Sequence, residues 1–232
     1  MRRKIGRKAL IALLLVAVAG FGCNPLLFPM YISGMFTAPT KAPEFEFYKK
    51  AKAEKKKSEI KIVILPDRGS RLSADFFGSD RELAITFERK LAEYFKDNKE
   101  KVTIVSVQSV EKYKLSHPDW RTRFTELGKE FKADYIFNVE LDAMSLYEPR
   151  SHETLMHARC RVTFTVVDLA KADEEPVYRQ DLSPEFPTGG KTQTADMDSN
   201  PQRFKQQFFD RVAVKLCHLV TPYPTEENID VD

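Results

Sequence analysis

From Tyr135 onward the apolar residues of this chain recur at every second position instead of every third or fourth, and that change decides its fold class. Tyr135, Phe137, Val139 and Leu141 alternate with Asn138, Glu140 and Asp142, which predicts a strand with one solvated face. Residues 155–168 repeat the alternation at greater length. Met156, Ala158, Cys160, Val162, Phe164 and Val166 fall on one side, and His157, Arg159, Arg161, Thr163 and Thr165 on the other. Residues 147–154, with Pro149, read as the hairpin connection between these two strands. Residues 176–182 read as a third strand, expected to pair antiparallel after a polar turn.

Upstream of Tyr135 the period is helical between short β-branched runs. Residues 60–65 are closed by Pro66 and predict a first buried strand. Ser79-Asp80-Arg81-Glu82 has the spacing of a capping box, in which hydroxyl and carboxylate each satisfy a free backbone N–H at a helix start. Leu83, Phe87, Leu91 and Tyr94 or Phe95 then mark one apolar face, and the helix is expected to end near Asn98. Residues 102–107 predict a second buried strand, parallel to the first by the handedness of β-α-β crossovers. Ser116 and Pro118 open a second helix, with Trp120, Phe124, Leu127 and Phe131 on one stripe. After a Pro- and Gly-rich loop at residues 184–201, a last helix carries Phe204, Phe208, Val212, Leu216 and Leu219 on one face. The expected fold is α/β of the mixed α+β kind, in the order β-α-β-α-β-β-β-α, with helices packed on a single mixed sheet.

The beginning of the chain reads as an address. Arg2, Arg3, Lys4, Arg7 and Lys8 precede an unbroken apolar run at residues 9–19, and small residues lead to Cys23, the layout of a secretory signal. The run falls short of the ~20 residues that cross a bilayer. Gly22-Cys23 resembles the lipobox of bacterial lipoproteins, whose cysteine is acylated and becomes the mature N-terminus; Gly20 and Phe21 depart from the usual residues there. This resemblance implies a fatty-acyl (palmitate-type) anchor at Cys23 and membrane lipid as a partner. An uncleaved anchor over residues 9–36 and a plain cleaved signal are the alternatives, and Asn24, Pro25 and Pro29 interrupt the first of these. The expected organisation is a signal at 1–22, a lipidated tether at 23–58, an α/β domain at 59–222 and a mobile acidic tail at 223–232.

Charge narrows the partners. The formal net charge of +3 includes five basic residues in the signal, which carries no acid, so the remainder stands near −2 and gives no support for nucleic acid. Six lysines among residues 49–57 suit either attraction to anionic lipid or wall polymer, or a solvated spacer. With Cys23 acylated, Cys160 and Cys217 remain, as buried thiols or as a pair formed in an oxidising envelope.

Each catalytic possibility fails a physical requirement. Gly190-Lys191-Thr192 lacks the earlier glycine and the buried strand of a phosphate loop. His117, His152, His157 and His218 have no paired spacing for zinc, and no Gly-x-Ser-x-Gly elbow is present. Glu140 and Asp142 stand about 7 Å apart on a strand face, a scale suited to wall or carbohydrate hydrolysis. Solvated acids opposite Arg159 or Arg161 are the simpler reading. The expectation is a protein that is no enzyme and needs no cofactor.

Two loops remain as contact surfaces. Residues 67–78 follow the carboxyl end of the first strand, where open α/β sheets place ligands, and carry Asp67, Arg68, Arg71, Phe76 and Phe77, suited to a protein partner. Residues 185–200 are the second. In the order of its elements, from the strand at Ile60 through the passage Lys132-Ala133-Asp134-Tyr135-Ile136 to the strand ending at Asp168, the chain resembles CsgG-like lipoproteins, LpoB-like activators of penicillin-binding proteins, and the TolB N-terminal domain. That resemblance implies a non-enzymatic, membrane-held protein that binds another envelope protein. It also allows an oligomeric secretion component, for which the short connection at 147–154 leaves little strand to cross lipid. No functional residue is carried over, and oligomeric state, partner and membrane are left open.

Overall fold

Val63, Ile64 and Leu65 are fully buried because they lie on a strand covered on both faces, which a run of β-branched and aliphatic residues permits. The computed structural model describes residues 39–55, 59–171, 175–194 and 200–225. Cys23, the signal, most of the tether and the end of the tail therefore lie outside the described residues. One compact unit begins at Lys41. Its main strands are β1 (Ile60–Arg68), β2 (Val102–Val105), β3 (Tyr135–Tyr147), β4 (Leu155–Asp168) and β5 (Pro176–Leu182). They lie in the order β2-β1-β3-β4-β5, and the two-residue strands β6 (Glu185–Phe186) and β7 (Gln193–Thr194) also pair with β4, making a seven-stranded sheet. β1 is parallel to β2 and β3; the pairs involving β4 are antiparallel. The sheet is mixed, as the change of period predicts.

Among the described residues five α-helices accompany it: α1 (Phe47–Lys55), α2 (Ser79–Asp97), α3 (Val107–Ser116), α4 (Phe124–Phe131) and α5 (Pro201–Val220). The larger core joins Leu83, Phe87 and Leu91 of α2 and Phe208, Val212 and Leu216 of α5 to Ile62, Phe137 and Phe164 of the sheet. On the other face a smaller cluster sets Val110 and Tyr113 of α3 and Leu127 of α4 against Val63, Leu65, Ile136 and Val167. Gly128 sits inside α4 because a Cβ there would lie 2.4 Å from Leu169 Cδ1. Asn200 caps α5, accepting from the N–H groups of Gln202 and Arg203 at 2.9 and 3.1 Å.

Four local expectations are corrected. The capping box at Ser79 does not form: the N-cap is Gly78, in the left-handed conformation at φ 82° that glycine adopts freely. Ser79 is buried, its hydroxyl makes no hydrogen bond, and Glu82 instead meets Lys205 of α5 at 2.6 Å. The second strand is shorter and only partly buried, an edge that stops at Val105. A helix then begins at Val107, whose N–H is accepted by the Glu88 carboxylate of α2 at 3.0 Å. The helix expected from Ser116 is a 3-10 turn over Trp120–Thr122 followed by α4. Lastly, the loop at 184–201 is partly strand, since β6 and β7 extend the sheet along β4.

The lysine-rich stretch holds α1. Phe45, Phe47 and Ala51 are buried in the larger core, with Phe47 edge-on to Tyr135 and Phe137 at 5.1 and 5.0 Å between centroids.

Candidate functional site: the loop after the first strand

Asp67 and Arg68 are the last residues of β1, in register with Glu140 and Leu141 of β3. The chain then turns tightly against its neighbour. Gly69 N–H donates to Leu141 O at 2.9 Å, and a Cβ on Gly69 would lie 2.4 Å from Asp142 Cα. Such closeness coincides with a bulge, for the β3–β4 register shifts between Leu141 and Ala143. The bulge moves the core-facing positions of β3 from Val139 and Leu141 to Met144 and Leu146.

Two arginines hold the loop down at its base. Arg71 pairs with Asp142 at the bulge, and Arg121 pairs with Asp67 while also donating to Arg68 O at 3.2 Å. Arg71 holds the Asp142 carboxyl below its usual range through that hydrogen bond. Glu140 moves the other way, raised by burial and then by the charges of Asp67 and Asp142. Leu72 enters the core and Phe76 packs partly against it. Phe77 does not: it stands 79 % exposed, with the Arg68 guanidinium over its ring at 5.5 Å. Of the five residues named for this loop, Asp67 and Arg71 thus brace it, the half-buried Arg68 also braces it by donating to Leu72 O at 3.0 Å, and Phe77 presents an aromatic ring to solvent.

The acids Glu140 and Asp142 are shifted in opposite senses. An open cleft of about 530 Å³ beside the bulge is lined by neither carboxylate. Asp142 is paired with Arg71 from the loop, not with Arg159 or Arg161 across the ladder. Cys160 and Cys217 are both buried and share no disulfide, and burial pushes the Cys160 thiol up. The histidines are dispersed. His117 stacks on Tyr113, His218 stacks on Tyr223, and His157, 1 % exposed, lies with Nδ1 2.8 Å from Glu148 and Nε2 3.6 Å from Glu185. Among the described residues no group of three or more His, Cys, Asp or Glu is arranged to hold a metal. The His157 cluster escapes sequence reasoning because Glu148 and Glu185 come from a hairpin and a short strand with no periodic signal.

The loop lies far from where the chain joins the folded unit. Phe45 N–H donates to Leu219 O at 2.8 Å and its ring stacks on Tyr178 at 5.0 Å, beside the end of the sheet where β1 begins. The nine residues of β1 separate that end from Gly69, a span of roughly 25 Å. No helix among the described residues is long and apolar enough to cross a membrane.

No protein-family model matches the chain, and no curated protein is similar to it in sequence. Solved structures are similar at low identity. The PelC dodecamer from Paraburkholderia phytofirmans is 9% identical over 80% of this chain and 98% of that one, with a TM-score of 0.41. Lipoprotein GNA1162 from Neisseria meningitidis is 10% identical over 68% of this chain and 97% of its own, at 0.44. The LpoB C-terminal domain from Salmonella enterica, of a group that the element order resembles, is 11% identical over 59% of this chain and 91% of its own, at 0.32.

Proposed function

We propose that this chain is an envelope lipoprotein, held to a membrane through acylated Cys23, whose α/β domain binds another envelope protein and catalyses no reaction. The observation that carries the binding role is Phe77, a large aromatic side chain left in solvent and braced by Arg68 on a loop tied down at its base. Exposed aromatic and arginine side chains on a preorganised surface are what protein interfaces draw their affinity from.

A photo-reactive amino acid placed at Phe77 in cells tests this role, with Leu115, 85 % exposed at the end of α3, as the comparison. A discrete crosslinked envelope protein from position 77 and none from 115 is the expected result. Equal labelling from both positions, or ring-sized adducts of this chain alone, would overturn it.

A further inference from the structure

Beside the loop, on a part of the sheet that no helix lines, the cleft next to the bulge gathers positive charge. Its floor is made of small residues: Ala143 and Ser145 of β3 stand in register with Arg161 and Arg159 of β4. Arg71 rises on one side, and Ser183, Pro184 and Glu185 form the other wall, fixed by Cys160 N–H donating to Pro184 O at 3.2 Å. Because the floor is low, three guanidinium groups border one open space.

Two of them are already engaged. Arg71 pairs with Asp142, and Arg159 donates to Glu148 at 2.5 Å. Arg161 is exposed and makes no hydrogen bond or ion pair among the described residues; Asp142, an acid whose charge it feels, is held by Arg71. A guanidinium has five N–H donors in a planar fork that matches a carboxylate, and here the one unengaged fork borders the open cleft.

The walls select among anions. Glu185 can accept N–H groups from a peptide backbone, and Ser145 and Ser183 can both donate and accept, which suits a chain whose amides lie beside its carboxylates. The lining includes no helix N-terminus, the element that phosphate sites draw on. We infer that this cleft takes an acidic peptide segment of a protein partner, with Arg161 as the principal charge that receives it. The inference rests on the protein-binding role and names the chemistry of what is bound.

The test uses the full chain in neutral detergent and a short fluorescent peptide rich in Glu, with its Gln counterpart as control, followed by anisotropy. The Glu peptide should bind and the Gln peptide should not. Arg161→Glu should weaken binding by about tenfold or more, the scale of a lost charge-assisted contact. Arg179→Glu, the same charge change on exposed β5 outside the cleft, should leave affinity within about twofold, since only long-range charge is altered. Equal losses in both variants, or no binding by the wild type, would overturn the inference. So would Arg161-dependent competition by phosphatidylglycerol vesicles, which would assign the cleft to lipid. Phe77→Ala should leave peptide affinity unchanged, so failure of the loop's role in cells and failure of this cleft are read separately.

Discussion

The Arg71 guanidinium closes on the Asp142 carboxylate across 71 positions of sequence, and that contact joins the loop after β1 to the bulge in β3. Asp142→Asn keeps the size of the side chain and removes its charge. Arg71 is largely exposed and its pairing is screened by solvent, so global stability should change little. Hydrogen exchange of residues 69–77 should quicken while β4 stays protected. Because Arg71 holds the Asp142 carboxyl below its usual range, the contact persists above ordinary carboxylate pKa values and is lost only as pH falls beneath them. The wild-type loop should therefore reach the variant's exchange behaviour only in strong acid.

Gly69→Ala addresses the same junction from the backbone. A methyl group there meets Asp142 Cα, a main-chain atom that cannot rotate away. A loss of about 1–3 kcal/mol is expected from urea unfolding, the range of overpacked positions. Loss of slow exchange at the Gly69 N–H would place the damage at the bulge.

Ser79→Ala separates two accounts of the start of α2. A capping serine would cost roughly 0.5–2 kcal/mol on removal. The buried hydroxyl makes no hydrogen bond, so stability should be unchanged or slightly raised in thermal and urea unfolding.

Glu100 gives the pH dependence a definite sign. It follows α2, one carboxylate oxygen is buried without a hydrogen bond, and burial raises its pKa from 4.5 to about 7. A carboxyl raised in the folded state contributes fully below its unfolded pKa and loses that contribution as pH climbs through about 7. Glu100→Gln should therefore match the wild type near pH 4 and melt a few degrees higher at pH 8. A gain of equal size at both pH values would contradict this.

These sites show where the sequence is legible. β4 and β5 run over the residues expected of them, β4 because the alternating residues Met156 to Val166 enter the larger core, and β5 because it pairs antiparallel with β4 after the polar turn. The capping box misleads because its residues occur at the right spacing while Gly78 takes the cap. α3 is hidden because Val107 continues the β-branched run, and the Glu88 carboxylate that starts the helix comes from another element. α1 is hidden by its lysines, although the spacing of Phe45, Phe47 and Ala51 carries a signal. The loop at 67–78 could be named from composition. The pairing of Arg71 with Asp142 could not, since it depends on a bulge that alternation alone does not reveal.

The central claim, an anchored binding module, is tested most directly by the mass and N-terminus of the mature protein extracted from membranes, beside Cys23→Ala. The account predicts a wild-type chain that begins at an acylated Cys23, and a variant that lacks the acyl mass and moves to the soluble fraction. An intact Met1 on both proteins, with both still in the membrane, would contradict it and make the first segment an uncleaved anchor.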